Sequence, residues 1–133
     1  MYKVYLTKEF TFDAAHHLPN YEGKCNNLHG HTYTLEVTVS GGIDLEDIGK
    51  EDVTSNDLMV MDFVDLDNIV KKTILSHHDH ADLNTLYDYP TAEVMVIYIY
   101  TIIKANLLLS VKLESVKLWE SSKNFAEYRG EIV

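Results

Sequence analysis

Seven histidines and a single cysteine are the residues of this chain best suited to chemistry, and they are unevenly spread. Cys25-Asn26-Asn27-Leu28-His29-Gly30-His31 holds the cysteine and two histidines, His16 and His17 precede it, and His77, His78 and His80 form a second group. Side chains on a strand repeat every two residues, so His29 and His31 on an extended segment point to the same side. A third imidazole from a paired strand, His16 or His17, would complete a three-nitrogen site with an open fourth position, the arrangement of a catalytic zinc. The competing reading is a polar turn entering a strand, with Gly30 supplying backbone freedom. Cys25, four residues before His29, is either a small buried hydrophobe or a thiolate activated by a nearby dication or imidazoles.

The second group contains a decoy. His78-Asp79-His80-Ala81-Asp82 matches most of the HxHxDH motif of metallo-β-lactamase-like hydrolases, but Leu83 holds the sixth position and no histidine follows His80. Asp79 beside His80 reads better as a pair, the carboxylate holding one tautomer of the imidazole and making it a proton donor. His77 and His78 suit a helix C-terminus, where imidazoles meet the dipole favourably. Glu120 follows the apolar run Val116 to Trp119 and is either an exposed strand-end carboxylate or an acceptor for two N–H bonds from a guanidine-like heterocycle edge. Thr91 beside Pro90 reads as a helix cap.

These groups need elements to hold them. Tyr33, Leu35, Val37 and Val39 alternate with Thr34, Glu36, Thr38 and Ser40, the period of a strand with one buried face. Tyr2, Val4, Leu6, Phe10 and Phe12 form its looser partner. Gly41 to Asp57 is acidic and aperiodic, which predicts a long loop or ribbon tip and the most disorder-prone part of the chain. Asp65 is the expected N-cap of a helix of about three turns carrying Leu66, Ile69, Val70, Thr73 and Ile74. A second helix is expected from Pro90 or Thr91 through Leu109, with Glu93 favouring its dipole. Strands at 111–120 and 125–132 close the order strand, strand, helix, helix, strand, strand.

Composition bounds the rest. At 133 residues and 46% apolar content one domain over residues 1–133 is expected. A formal charge of −10, from 21 acidic and 11 basic residues, argues against nucleic acid and anionic lipid as partners, though a pocket can still gather cations for a small phosphorylated substrate. One cysteine and an N-terminus without a signal-peptide pattern predict a reducing cytoplasm. Val94 to Leu109 is too short and too polar to cross a membrane.

Taken in order, "FDAAHH", "CNNLHGHTY", "MVMDF", "DHADLN", "PTAE" and "WESS…YRGE" resemble the family of 6-pyruvoyltetrahydropterin and 6-carboxytetrahydropterin synthases, from about Phe10 to the C-terminus. The resemblance implies the α+β tunnelling fold, with two helices on one face of an antiparallel sheet and strands from several subunits closing a barrel, as a homohexamer built from two trimers. It implies zinc held by His16, His29 and His31, with His17 outside the ligand set. Cys25 would be one proton-transfer group and Asp79 with His80 the other, while Glu120 would anchor the pterin's amino-pyrimidine edge with Thr91 near the ring. The four-residue interval from Cys25 to His29 resembles the carboxy branch. That branch implies conversion of 7,8-dihydroneopterin triphosphate to 6-carboxytetrahydropterin, acetaldehyde and triphosphate, early in the route to queuosine and other deazapurines. The alternatives are the pyruvoyl branch and a non-catalytic zinc-containing module that only holds a pterin.

Overall fold

In the computed structural model, which describes residues 1–133, two long strands carry most of the framework. β1 (Tyr2–His16) and β2 (His29–Ile43) pair antiparallel without interruption from Tyr2↔Ile43 to His16↔His29. The alternation seen in the sequence becomes a buried face: Tyr33, Leu35, Val37 and Val39 are fully buried, and Phe10 and Phe12 join them from β1. Opposite pairs along this face run Phe10↔Leu35, Phe12↔Tyr33, Ala14↔His31 and His16↔His29. The three histidines are therefore the last layer of the core face, held by the register that buries the aromatic residues before them.

Two helical segments cover that face. α1 (Phe63–Val70) starts at Asp62, whose carboxylate accepts from the Val64 amide at 2.8 Å, so the N-cap lies three residues before the expected Asp65. The helix continues as a π-turn over Lys71–Leu75 and a last turn, α2 (Ser76–His78). Leu66, Val70, Ile74 and His78 are all buried. A spacing of four drifts by about 40° per step in a regular helix. The wider π-turn offsets this drift and keeps all four on one face. α3 (Ala92–Asn106) ends three residues short of the expected Leu109 and buries Met95, Val96, Ile99, Tyr100 and Ile103. Each such side chain contributes about 1.5–3 kcal/mol on leaving water.

β4 (Lys112–Trp119) pairs with β2, and β5 (Phe125–Tyr128) pairs with β4, both more tightly bounded than expected. A two-residue strand, β3 (Ala81–Asp82), runs parallel to Ala14 and Ala15 of β1. The sheet is thus five-stranded and mixed, in the order β3-β1-β2-β4-β5, rather than the expected four-stranded antiparallel one. Parallel pairing of so short a segment has no alternation to mark it in the sequence. The acidic stretch 41–57 is also more ordered than expected. β2 runs on to Ile43, Asp44 caps the turn Leu45–Asp47, and Thr54 and Asp57 form a reciprocal capping box on Ser55–Leu58. Asp, Ser and Thr satisfy backbone donors in such turns without any apolar period. No helix is long and apolar enough to cross a membrane.

Candidate metal centre and the groups around it

His16 closes β1, and His29 and His31 open β2, so cross-strand pairing places all three on one face at one end of the sheet. One ligand-capable atom from each lies within 4.8 Å of the others, the grouping required for a metal site. The ring contacts are equally close, with centroid separations of 4.7, 5.1 and 4.9 Å around the triangle. Ala14, opposite His31, is small and leaves room for the ring.

The hydrogen bonds decide what this cluster can hold. His16 Nδ1 is 2.8 Å from the Pro90 carbonyl and His29 Nδ1 is 2.7 Å from the Asn27 carbonyl. A carbonyl only accepts, so both Nδ1 atoms carry a proton, and each ring in its neutral form presents a bare lone pair on Nε2. Those two Nε2 atoms face each other at 3.1 Å. Two lone pairs at that distance repel unless a cation lies between them. Fixing the far nitrogen with an acceptor is also the usual way in which a ligating imidazole is oriented. The donor set therefore fits a divalent metal that takes nitrogen ligands. Burial lowers the proton affinity of His31, and the other two histidines add to this against the opposing pull of Glu120. His17 stays outside, its backbone clasped on both sides by the Asn84 amide.

The other residues singled out in the sequence fall around this centre in different ways. Glu120, one residue past β4, brings Oε1 to 3.5 Å from His16 Nε2 and 3.9 Å from His31 Nε2. It also lines an open cavity of about 420 Å³ together with Glu93 and Phe125. Thr91 is the N-cap of α3, its hydroxyl oxygen accepting from the Val94 amide at 3.2 Å, which leaves the O–H free to donate. Cys25 is half-buried in the single turn Lys24–Asn26 before β2, outside the three-histidine group. Its carbonyl accepts from the Leu18 amide at 2.7 Å and ties the loop back on itself.

Asp79 and His80 lie beside β1. Asp79 accepts from the Asp13 amide at 3.1 Å through Oδ1, and its Oδ2 lies 3.1 Å from His80 Nδ1. The Asp13 amide, with His80 second, holds the Asp79 carboxyl below its usual range. His80 has φ +60°, an uncommon backbone state for a side chain with a Cβ, and its amide donates to the Asp13 carbonyl at 2.6 Å. His80 and His31 both line a shallow concavity beside Asp13 and Thr32. His78 points the opposite way, buried, with Nδ1 on the Ile74 carbonyl at 2.7 Å and Nε2 at 2.6 Å from the Tyr87 hydroxyl. His78 and His80 thus form no common ligand group, and the hydrolase motif has no site.

Two contributors were not foreseen. The Pro90 carbonyl is a backbone group that no residue type advertises. Glu93 was read only as a partner for the helix dipole. Its place in the first turn after a capping threonine, with an exposed carboxylate and no cation nearby in sequence, is the signal that marks it.

Comparisons with known proteins bear on the family of the chain. The family model described as 6-pyruvoyl tetrahydropterin synthase matches residues 5–131. The chain belongs to that family. It is 39% identical to the 6-carboxy-5,6,7,8-tetrahydropterin synthase of Haemophilus influenzae, over 97% of this chain and 99% of that protein. It is 34% identical to the 6-pyruvoyl tetrahydrobiopterin synthase of Drosophila melanogaster, over 96% and 80%. A dihydroneopterin monophosphate aldolase of Pyrococcus furiosus is 37% identical, over 85% and 86%. Among solved structures, the 6-pyruvoyl tetrahydropterin synthase of Caenorhabditis elegans superposes with a TM-score of 0.79 at 26% identity, covering 98% of each chain. The likeness to that structure extends over the whole mixed sheet and the helices that cover it.

Proposed function

We propose that the chain is a zinc-dependent 6-carboxy-5,6,7,8-tetrahydropterin synthase, converting 7,8-dihydroneopterin triphosphate to 6-carboxytetrahydropterin, acetaldehyde and triphosphate on the route to queuosine and other deazapurines. The observation that carries this reading is the pair of Nε2 atoms of His16 and His29 facing each other at 3.1 Å, with His31 beside them. The 39% identity to a relative of that name, and the four-residue interval from Cys25 to His29, support the carboxy branch.

When bound, zinc supplies Lewis-acid polarisation of side-chain oxygens. The protein's own residues do the rest. Glu120 accepts N–H bonds from the amino-pyrimidine edge of the pterin, with Thr91 near the ring and Glu93 on the same cavity wall. Cys25 takes a proton from the substrate side chain. His80, its Nδ1 proton held toward Asp79, presents Nε2 to the second proton transfer. The tautomer is fixed by the Asp79 carboxylate, which is itself pinned by the Asp13 amide.

The enzyme is further proposed to work as a homohexamer of two trimers. β1 has no strand partner on its outer side between Tyr2 and Asp13, β5 ends the other side of the sheet, and Tyr2 and Tyr5 are exposed. Open edges of this length are pairing surfaces. The decisive experiment incubates zinc-loaded protein with dihydroneopterin triphosphate and identifies the products. Acetaldehyde with triphosphate is expected, a pyruvoyl product moves the chain to the sister branch, and tight pterin binding without turnover makes it a binding module.

A further inference from the structure

The Glu120 carboxylate has an unusual neighbourhood. No lysine or arginine lies within ion-pair distance of it, and the groups closest to its Oε1 are His16 Nε2 at 3.5 Å and His31 Nε2 at 3.9 Å. His16 Nε2 is an acceptor in the neutral ring, because its Nδ1 proton is committed to the Pro90 carbonyl. Glu120 therefore approaches His16 and His31 rather than His29, beside the three-histidine group, and a carboxylate with free rotation would turn away from a neutral His16 Nε2 that can only accept. Ligand atoms about 2.0–2.1 Å from a tetrahedral zinc stand about 3.3 Å from each other. The separations of 3.1 Å from His16 to His29 and 3.5 Å from His16 to Glu120 lie close to that value, and the 3.9 Å from His31 to Glu120 exceeds it by an amount that a small side-chain shift would close.

The same side chain borders the cavity that Glu93 lines. Its mount allows it to serve both places. Glu120 is the first residue past β4, its amide is held by the Asn124 carbonyl at 3.1 Å across the turn Ser121–Asn124, and the side chain is one-third exposed. A rotation about its own side-chain bonds would carry the carboxylate between the histidine triangle and the cavity with the backbone fixed.

We propose that Glu120 is a fourth protein ligand of the metal when no pterin occupies the cavity, and that an entering pterin draws its carboxylate away and so opens the coordination position. The inference rests on the metal-site reading above. It makes a single carboxylate couple occupancy of the cavity to exposure of the metal, so that the Lewis acid is uncovered only when there is a pterin to act on. It also gives the closed site four protein ligands instead of three, which adds affinity for the ion.

Cobalt(II)-substituted protein tests this without turnover, because the visible absorption of cobalt reports ligand number and type. Glu120→Gln is expected to change the cobalt spectrum and to weaken zinc binding, measured against a chromogenic chelator, by about tenfold or more. Glu120→Asp, which withdraws the carboxylate by one methylene, is expected to change the spectrum in the same direction. Glu93→Gln is expected to leave both metal readouts unchanged while weakening binding of neopterin, used as an unreactive probe. Neopterin added to the unmodified protein is expected to change the cobalt spectrum. Wild-type spectrum and affinity in both Glu120 variants overturn the ligand assignment, and a spectrum insensitive to saturating neopterin overturns the exchange. If His29→Ala keeps the cobalt spectrum, the three-histidine site itself is wrong, a failure distinct from that of Glu120.

Discussion

The two histidine groups of this chain look alike in sequence and come apart in space. His16, His29 and His31 arise from positions up to fifteen residues apart and converge within 4.8 Å, whereas His77, His78 and His80 lie within four residues and share no site. The difference lies in the elements that carry them. A strand pair in fixed register sends every second side chain to one face, so its ends gather residues that are distant in sequence. A helix end scatters its neighbours: His78 points into the core toward Tyr87, while His80 leaves on a left-handed residue toward solvent.

The largest test of this contrast is removal of one member from each group. His29→Ala is expected to abolish metal retention, with metal content per chain falling to near zero, and to lower turnover about 10³-fold or more, since a Lewis acid supplies several kcal/mol. His78→Gln is expected to leave metal content unchanged. Elemental analysis of the two purified variants checks both, and metal loss in His78→Gln would break the distinction.

Next in size is His80, the one member of the second group given a chemical role. His80→Gln and Asp79→Asn are each expected to lower turnover by about 10²- to 10⁴-fold, the range for a proton-transfer group. Metal content should not change in either. If the two variants combined cost no more than one alone, the residues act as a unit, as their 3.1 Å contact suggests. Steady-state rates with zinc-loaded protein decide the matter.

Much of this arrangement was legible in the sequence. The alternation of Tyr33 to Val39 gave β2 and its buried face, and the HxH spacing then put His29 and His31 on that face. The choice between His16 and His17 followed from the resemblance and is explained by parity: even positions of β1 face the core, and His17 lies beyond the strand's end. What escaped notice shares one property, that it depends on backbone groups or on non-periodic contacts. The Pro90 carbonyl, the parallel β3 and the π-turn leave no mark on residue type. The capped turns within 41–57 satisfy their donors with the same acidic residues that suggested disorder. Asp62 and Asp65 are equally good caps in isolation, and only the packing of α1 selects the first.

A structural role for His78 makes a third prediction. Tyr87→Phe removes the only hydrogen-bond donor to His78 Nε2, leaving a buried acceptor unsatisfied, and is expected to cost about 1–3 kcal/mol of stability in urea unfolding. Metal content should be untouched. Burial has also pushed the Tyr87 hydroxyl up to about 12, so it remains a donor throughout the working range of pH. A comparable loss of metal in this variant would mean that the two histidine groups are mechanically linked.

The smallest effect is the pH dependence that His78 brings to the fold. Burial lowers its proton affinity in the folded chain, outweighing the Ile74 carbonyl, which acts to raise it, while neighbouring His77 adds to the lowering. The unfolded chain titrates near the ordinary imidazole value of 6.5. Below that pH the unfolded state takes up a proton that the folded state refuses, so stability falls as pH drops and stops falling once the folded pKa is passed. One such group contributes a slope of at most about 1.4 kcal/mol per pH unit. In metal-free protein, the loss of stability between pH 7 and pH 5 is therefore expected to be smaller in His78→Gln, with the remaining histidines common to both. Parallel slopes would show that His78 takes up its proton without leaving the core, and that Tyr87 yields its place as donor to do so.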